Sequence, residues 1–237
     1  MSAIAGEHRS RLGLAEPAVA LTDLAVGFEA AVCALAMGRA SLGDRATARA
    51  RRLQAWLVAF FAATATAALA GAVLHGIPRD WRVVIRSRLW RISLGSIGVA
   101  SLSAWWISAG VLRRPSPIGS VLPAVTAAHA GYLAVVSVSE PPYAVAIATY
   151  VPGAVALGGA LASRLPDPAW RRPAGLGLLA LGVTFAAAGV QVRRIAIHPT
   201  LFDHNALYHT LQAAGVGIFL ASGRGLIRAA AQPVERQ

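Results

Sequence analysis

Long apolar runs dominate the chain, and short polar stretches separate them. A helix that crosses a bilayer needs about 20 mainly apolar residues, and seven runs approach or exceed that length. They cover residues 20–38, 54–76, 89–112, 118–138, 143–163, 173–192 and 204–222. Proline and arginine fill the intervals, as in RRPSP at 113–117 and RLPDP at 164–168. The pattern predicts an all-α polytopic membrane protein, a seven-transmembrane-helix bundle at 20–224 with tails at 1–19 and 225–237.

The composition also indicates a membrane protein, and the placement of its charge indicates which kind of partner the chain binds. Hydrophobic residues make up 56% of the chain and charged residues only 14%, which is far from the average of soluble domains. The formal net charge of +12 would suit a nucleic-acid-binding protein. The arginines, however, fall in short clusters between apolar runs, where membrane proteins carry the charge that sets their topology. We therefore expect the lipid bilayer as the partner, and no nucleic acid.

The distribution of arginine indicates an orientation. Thirteen of the 22 basic residues lie on the side that holds the C-terminus, and nine lie on the other side. Positive charge is enriched in cytoplasmic loops. The count predicts a multi-pass protein of the inner (plasma) membrane whose C-terminus is cytoplasmic. The sequence carries no signal for an oligomeric state.

Six ionisable side chains other than arginine lie within the predicted spans or at their ends. Each costs about 2.5–3.5 kcal/mol at the centre of a membrane helix, so each is a candidate for function. They are Asp23 and Glu29 in the first helix, His75 ending the second, His129 in the fourth, and His204 with His209 opening the seventh. With seven spans, the start of the first helix, the end of the second and the start of the seventh must emerge on one face.

The seventh helix opens with a polar stripe. Asn205, Tyr208, His209 and Gln212 are separated by steps of three, four and seven residues, so they share one helix face, which we expect to line the bundle interior. His204 lies about 140° around the helix from His209. Asp203 directly precedes the helix, where an aspartate caps free backbone N–H groups.

His75 and His209 are the first two candidate zinc ligands, because chain parity brings them to the same face. A catalytic zinc takes three protein ligands and leaves a fourth position for water. The third ligand is open between His204, Asp203 and Asp23. The mechanism that we would test uses His75, His204 and His209 as ligands, with Asp203 or Asp23 handling the proton. The alternative is a hydrogen-bonded core without metal, in which His75 bonds to a backbone carbonyl.

This arrangement resembles the transmembrane hydrolase superfamily of alkaline ceramidases and adiponectin-type receptors. The resemblance covers the seven-helix layout, the histidine that ends helix two and NALYHTLQAAG at 205–215. It implies a zinc held by one histidine from helix two and an HxxxH pair from helix seven, with a serine and an aspartate completing the site. His75 and His209 match two of the histidines.

Three signature positions of that superfamily differ in this chain. Asn205 replaces the first histidine of the HxxxH pair, and Gly71 stands one turn before His75, where the serine would be. Helix three has no aspartate, and Ser93 and Ser96 are its nearest polar substitutes. Without the serine and the aspartate, amide hydrolysis of the type seen in that superfamily does not follow directly from the resemblance.

The sequence is compatible with three functional classes. The leading expectation is a zinc-dependent, hydrolase-like membrane protein that acts on a lipid or another membrane-embedded substrate. The second is a proton-coupled small-molecule transporter with Glu29 and His129 as mid-membrane coupling groups. The third is a non-catalytic membrane sensor or scaffold, which would tolerate loss of His75 and His209.

Overall fold

The computed structural model describes residues 14–43, 46–78, 82–112 and 117–232. Within these ranges it contains seven α-helices, each long and apolar enough to cross a membrane. They are α1 (Pro17–Gly38), α2 (Ala48–Gly76), α3 (Val83–Val111), α4 (Pro117–Val138), α5 (Tyr143–Ala162), α6 (Pro168–Arg193) and α7 (His204–Ala231). The predicted all-α seven-helix bundle is confirmed.

Four helices are at least five residues longer than the apolar runs that predicted them. α2, α3 and α6 each begin five or six residues earlier, with a first turn or two that carries arginine. Local capping explains two of these starts, because the Thr47 hydroxyl accepts a hydrogen bond from Ala50 N at 3.0 Å and the Asp167 carboxylate accepts one from Ala169 N. α7 continues to Ala231. The predicted boundary of the C-terminal tail at 225 therefore lies inside a helix.

The helices pack as a ring with one outer member. α1 lies between α2 and α7, and the contacts α2–α3, α3–α5, α5–α6 and α6–α7 close the circuit. α4 packs against α3. At Gly223 of α7 an added Cβ would come within 2.8 Å of Met37 and 3.2 Å of Leu57, so the absence of a side chain lets these helices approach closely.

The start of α1 is tied to the end of α2. Ala15 N donates to Gly76 O at 3.2 Å, and Glu16 N donates to His75 O at 3.0 Å. The start of α7 reaches the same face, where the His209 ring lies 6.4 Å from that of His75. The parity argument is therefore confirmed, and this end of the bundle is called the α1–α2–α7 mouth below.

Candidate metal centre

Three side chains from three helices converge at the α1–α2–α7 mouth. Asp23 of α1, His75 of α2 and His209 of α7 each offer one ligand atom, and these atoms lie within 4.8 Å of one another. A tetrahedral zinc with bonds of about 2.0–2.1 Å sets its ligand atoms about 3.3 Å apart, so the cluster needs to contract by about 1.5 Å at most. Small side-chain rotations cover that distance. The residues present therefore fit a zinc ion.

Asp23 is the buried member of the cluster, with 4% of its surface exposed. Its Oδ1 lies 3.2 Å from Nδ1 of His209. The carboxylate lies directly against the backbone of α2 at Gly71, where an added Cβ would overlap Oδ2. Gly71, the position at which the resemblance implies a serine, thus provides the space that the aspartate occupies.

Glu16 holds the His75 ring from outside the cluster. Its Oε2 accepts a hydrogen bond from Nδ1 of His75 at 2.7 Å, and both side chains are about one-third exposed. The backbone hydrogen bond between the same two residues fixes their separation. A histidine whose Nδ1–H donates to a carboxylate presents Nε2 to a metal in a defined orientation. Glu16 is therefore placed as a positioning residue for His75.

Residues of the polar stripe of α7 contact both the candidate metal centre and helix α6. His209 Nδ1 also lies 3.4 Å from Gln212 Oε1, and the ring of Tyr208 lies 4.8 Å from that of His209. Asn205 points toward α6 instead, where its Oδ1 accepts from Gln191 Nε2 at 2.6 Å. The stripe thus lines the site through Tyr208 and Gln212, whereas Asn205 bonds α7 to α6.

The expectation that His204 is the third ligand is not supported by the structure. Among the described residues, the grouping of potential ligands contains Asp23 and not His204. The reason is helical geometry, because α7 is regular from its first residue and the five-residue step turns His204 away from His209. Asp23 takes the place considered for His204.

Asp203 is the N-cap of α7. Its Oδ1 accepts a hydrogen bond from Ala206 N at 2.9 Å, which confirms the predicted cap. Its other carboxylate oxygen has no hydrogen-bond partner among the described residues, and the carboxylate is close enough to interact electrostatically with His75 and His209. Asp203 therefore caps the helix through Oδ1, and its second oxygen is left for a further contact.

The two mid-membrane candidates lie apart from this cluster. His129 is buried, with Nδ1 2.8 Å from Val125 O and Nε2 3.0 Å from Ser101 Oγ, so both ring nitrogens contact neighbouring polar atoms. Glu29 is half-buried and lies opposite Gly217 of α7, where an added Cβ would be 3.0 Å from Oε1. These contacts give His129 a packing role between α3 and α4.

Sequence reasoning missed Glu16. It was assigned to the N-terminal tail because it precedes the first apolar run, yet it is the N-cap residue of α1 and lies beside His75. Its position immediately before Pro17 was an available signal, since proline favours the first turn of a helix. Because α1 starts on the membrane face at which α2 ends, an acid at that position lies on the same face as His75.

Comparisons with known proteins assign the chain to a family and identify no individual relative. Searches of curated proteins and of solved structures found no match. A family model matches residues 18–228, which include all seven helices except the ends of α1 and α7. The chain belongs to that family, which is described as a family of unknown function, DUF6962.

Proposed function

We propose that this protein is a zinc-dependent hydrolase-like membrane protein that cleaves an acyl bond in a lipid or another membrane-embedded substrate. The observation that carries the proposal is the convergence of Asp23, His75 and His209, contributed by three separate helices, within 4.8 Å. The ligand set has one carboxylate and two imidazoles, which suits zinc with a fourth position left open for water.

Burial supports a metal over a simple hydrogen-bonded core. A buried carboxylate within an apolar helix is costly unless charge or several hydrogen bonds compensate it. Asp23 is 4% exposed, and its ion-pair contact among the described residues is with His209 Nδ1, 3.2 Å from Oδ1. A divalent cation between the aspartate and the two imidazoles would compensate that charge. It would also satisfy the His75 nitrogen that Glu16 leaves free.

The surrounding residues suit hydrolysis. A bound zinc lowers the pKa of the water that it holds toward neutrality and polarises a carbonyl group. In the proposed reaction, water would add to the acyl carbon through its oxygen, the bond to the leaving oxygen or nitrogen would break, and the leaving group would gain the proton that the water loses. Asp203, with one uncommitted carboxylate oxygen, would accept the proton from water and return it to the leaving group.

The layout also supports the resemblance to ceramidase- and adiponectin-receptor-type hydrolases. Helices two and seven supply the histidines, as that resemblance implies, and an acid near Gly71 completes the set from α1. We propose that the chain is a distant relative in which an aspartate ligand from α1 replaces the first histidine of the HxxxH pair.

The proposed location is the inner (plasma) membrane, with the C-terminus in the cytoplasm. The arginine excess on the C-terminal side supports this orientation. The α1–α2–α7 mouth would then open on the opposite side of the membrane, away from the cytoplasm. A reporter enzyme that is active only outside the cytoplasm, fused after residue 237, should stay inactive. An active fusion would reverse the assigned orientation.

Metal analysis of the purified protein tests the proposal first. We expect about one equivalent of zinc in the wild type and less than about a tenth in Asp23→Ala, His75→Ala and His209→Ala, since each removes one of three ligands. His204→Ala is the matched control and should keep its zinc, because His204 lies outside the cluster. Zinc-free wild-type protein purified without chelators, and unable to take up added zinc, would reject the proposal.

Hydrolysis is then assayed with the zinc-loaded protein in lipid nanodiscs. We expect release of fatty acid from the embedded lipid, and loss of that release in His209→Ala. Release that is equal in both proteins would assign the activity to a contaminant and reject the hydrolase.

A further inference from the structure

A cavity opens beside the candidate metal centre. Its volume is about 320 Å³, within the range of small-molecule sites. It lies between the end of α2, the start of α3 and the α4–α5 connection, and is lined by Leu74, Val83, Arg86, Ser87, Trp90 and Glu140. Since Leu74 directly precedes His75, the cavity and the metal centre share the last turn of α2.

Arg86 presents an unused donor edge. Its Nη1 donates to Leu74 O at 3.2 Å and to Ile77 O at 3.4 Å, which holds the guanidinium against the end of α2. Its Nε and Nη2 have no acceptor among the described residues. These two nitrogens form the edge with which arginine grips a phosphate through two parallel hydrogen bonds. The side chain is therefore fixed in place with that edge free.

Glu140 and Trp90 add a site for positive charge. Glu140 Oε1 accepts hydrogen bonds from the Ser87 hydroxyl and from Arg91 Nη2, whereas its Oε2 has no partner among the described residues. The Trp90 indole N–H donates to Pro141 O at 3.4 Å. A carboxylate oxygen beside an aromatic ring is the combination that recognises an ammonium group.

We propose that this cavity binds the phosphoethanolamine headgroup of a glycerophospholipid, with the phosphate on Arg86 and the ammonium on Glu140 and Trp90. The two opposite charges of that headgroup match the arginine and the glutamate that line one cavity. The inference that the bound phospholipid is the substrate rests on the proposed hydrolase function. Binding of the headgroup does not.

Aromatic contacts connect the cavity to the metal centre. The Trp90 ring lies 6.2 Å from that of Tyr143, the Tyr143 side chain is near enough to Tyr208 to interact with it electrostatically, and the Tyr208 ring lies 4.8 Å from that of His209. Val83 and Val84 expose apolar side chains at the start of α3. A phospholipid seated here would have its headgroup in the cavity and its acyl ester bonds near the shared turn of α2.

Native mass spectrometry of the purified full chain in detergent tests the site. The probes are phosphatidylethanolamine, phosphatidylglycerol and diacylglycerol with identical acyl chains. We expect the first to bind about tenfold more tightly than the second, which lacks the ammonium group, and the third not to be retained, because it carries neither charge. Equal retention of the three lipids would overturn the proposal.

Substitutions test which residue binds each of the two charged groups of the headgroup. Arg86→Lys keeps the positive charge but not the two-nitrogen edge, and we expect about a tenfold loss of affinity for both phospholipids. Glu140→Gln should remove the preference for phosphatidylethanolamine and keep phosphatidylglycerol binding. Arg88→Gln, two residues along α3 and outside the cavity lining, is the charge control and should bind as the wild type does. Equal affinities in Arg86→Lys and Arg88→Gln would reject the site.

Two further experiments distinguish a lipid site from a site for a soluble ligand, and test the cavity separately from the metal centre. Water-soluble glycerophosphoethanolamine should compete only weakly; competition as strong as that of the lipid would make this a solute site and overturn the lipid assignment. The binding series is repeated with chelator-treated protein and with His209→Ala, where we expect unchanged lipid affinity. Headgroup binding by a wild-type protein that takes up no zinc would support the cavity while rejecting the metal centre, and zinc uptake without headgroup binding would do the reverse.

Discussion

The Glu16 carboxylate accepts a hydrogen bond from Nδ1 of His75 at 2.7 Å, while the backbone N–H of Glu16 donates to the carbonyl oxygen of His75 at 3.0 Å. The two residues are 59 positions apart, at the start of α1 and the end of α2. This double contact joins the two helices and holds one imidazole with Nε2 facing away from the carboxylate. The orientation of a candidate ligand thus depends on a residue outside the cluster itself.

Replacing Glu16 should weaken zinc binding without unfolding the protein. In Glu16→Gln the backbone contact remains and the amide can still accept a hydrogen bond, but the charge that strengthens the ligand is lost. We expect about a 10–100-fold drop in zinc affinity, the usual effect of losing an outer carboxylate partner. Competition with a fluorescent zinc chelator measures it. Wild-type affinity in Glu16→Gln would show that the carboxylate does not tune the site.

Gly71→Ala should disturb the site through sterics alone. The added methyl group would overlap Asp23 Oδ2, so the carboxylate has to leave its place beside His209. We expect loss of zinc comparable to that in Asp23→Ala, measured by metal analysis. Gly182→Ala is the matched control, since an added Cβ there meets nothing within 4 Å. Full zinc content in Gly71→Ala would mean that Asp23 is not a ligand in the position described.

Helix order and parity were predictable from the sequence, but the rotation of each helix was not. The apolar runs predicted seven spans, and their parity predicted that His75 and His209 share a face. In α1, however, apolar residues occupy both the buried and the exposed positions, so the sequence pattern does not show which face turns inward. Asp23 therefore remained one of three candidates for the third ligand until the packing of α1 against Gly71 was known.

Contacts that depend on the positions of individual atoms were even harder to predict from the sequence. Asp203 was predictable as a cap, because capping is local and follows from residue type. A helix start at Pro17 places Glu16 on the same face as His75, but the contact itself was not predictable, because it joins residues 59 positions apart. The unused edge of Arg86 has the same origin, since it exists only because Nη1 is held by carbonyls of another helix.

Asp203→Asn should separate the cap of α7 from the proton transfer. Asparagine caps a helix as well as aspartate does, so we expect unchanged stability and zinc content. It cannot accept a proton from water, and we expect hydrolysis to fall about 10²–10⁴-fold, the usual contribution of a general base. Lipid hydrolysis by the zinc-loaded variant measures this effect. An active Asp203→Asn would assign the proton transfer to another group.

Zinc binding should weaken as the pH falls. Each imidazole must be neutral to bind a metal, so at low pH a proton competes for His75 and another for His209. Affinity should fall about tenfold per pH unit for each of the three ligands, Asp23 included, that carries a proton in the free protein, because zinc displaces that proton. Above the range in which these ligands titrate, the affinity should no longer change with pH.

A series of zinc titrations from pH 5 to pH 8 measures the slope of affinity against pH. His204→Ala should show the same slope as the wild type, because its imidazole lies outside the cluster. A slope that stays flat across this range would contradict zinc binding at Asp23, His75 and His209, because no ligand would then lose a proton to the metal. A slope that changes in His204→Ala would restore His204 as a ligand in place of Asp23.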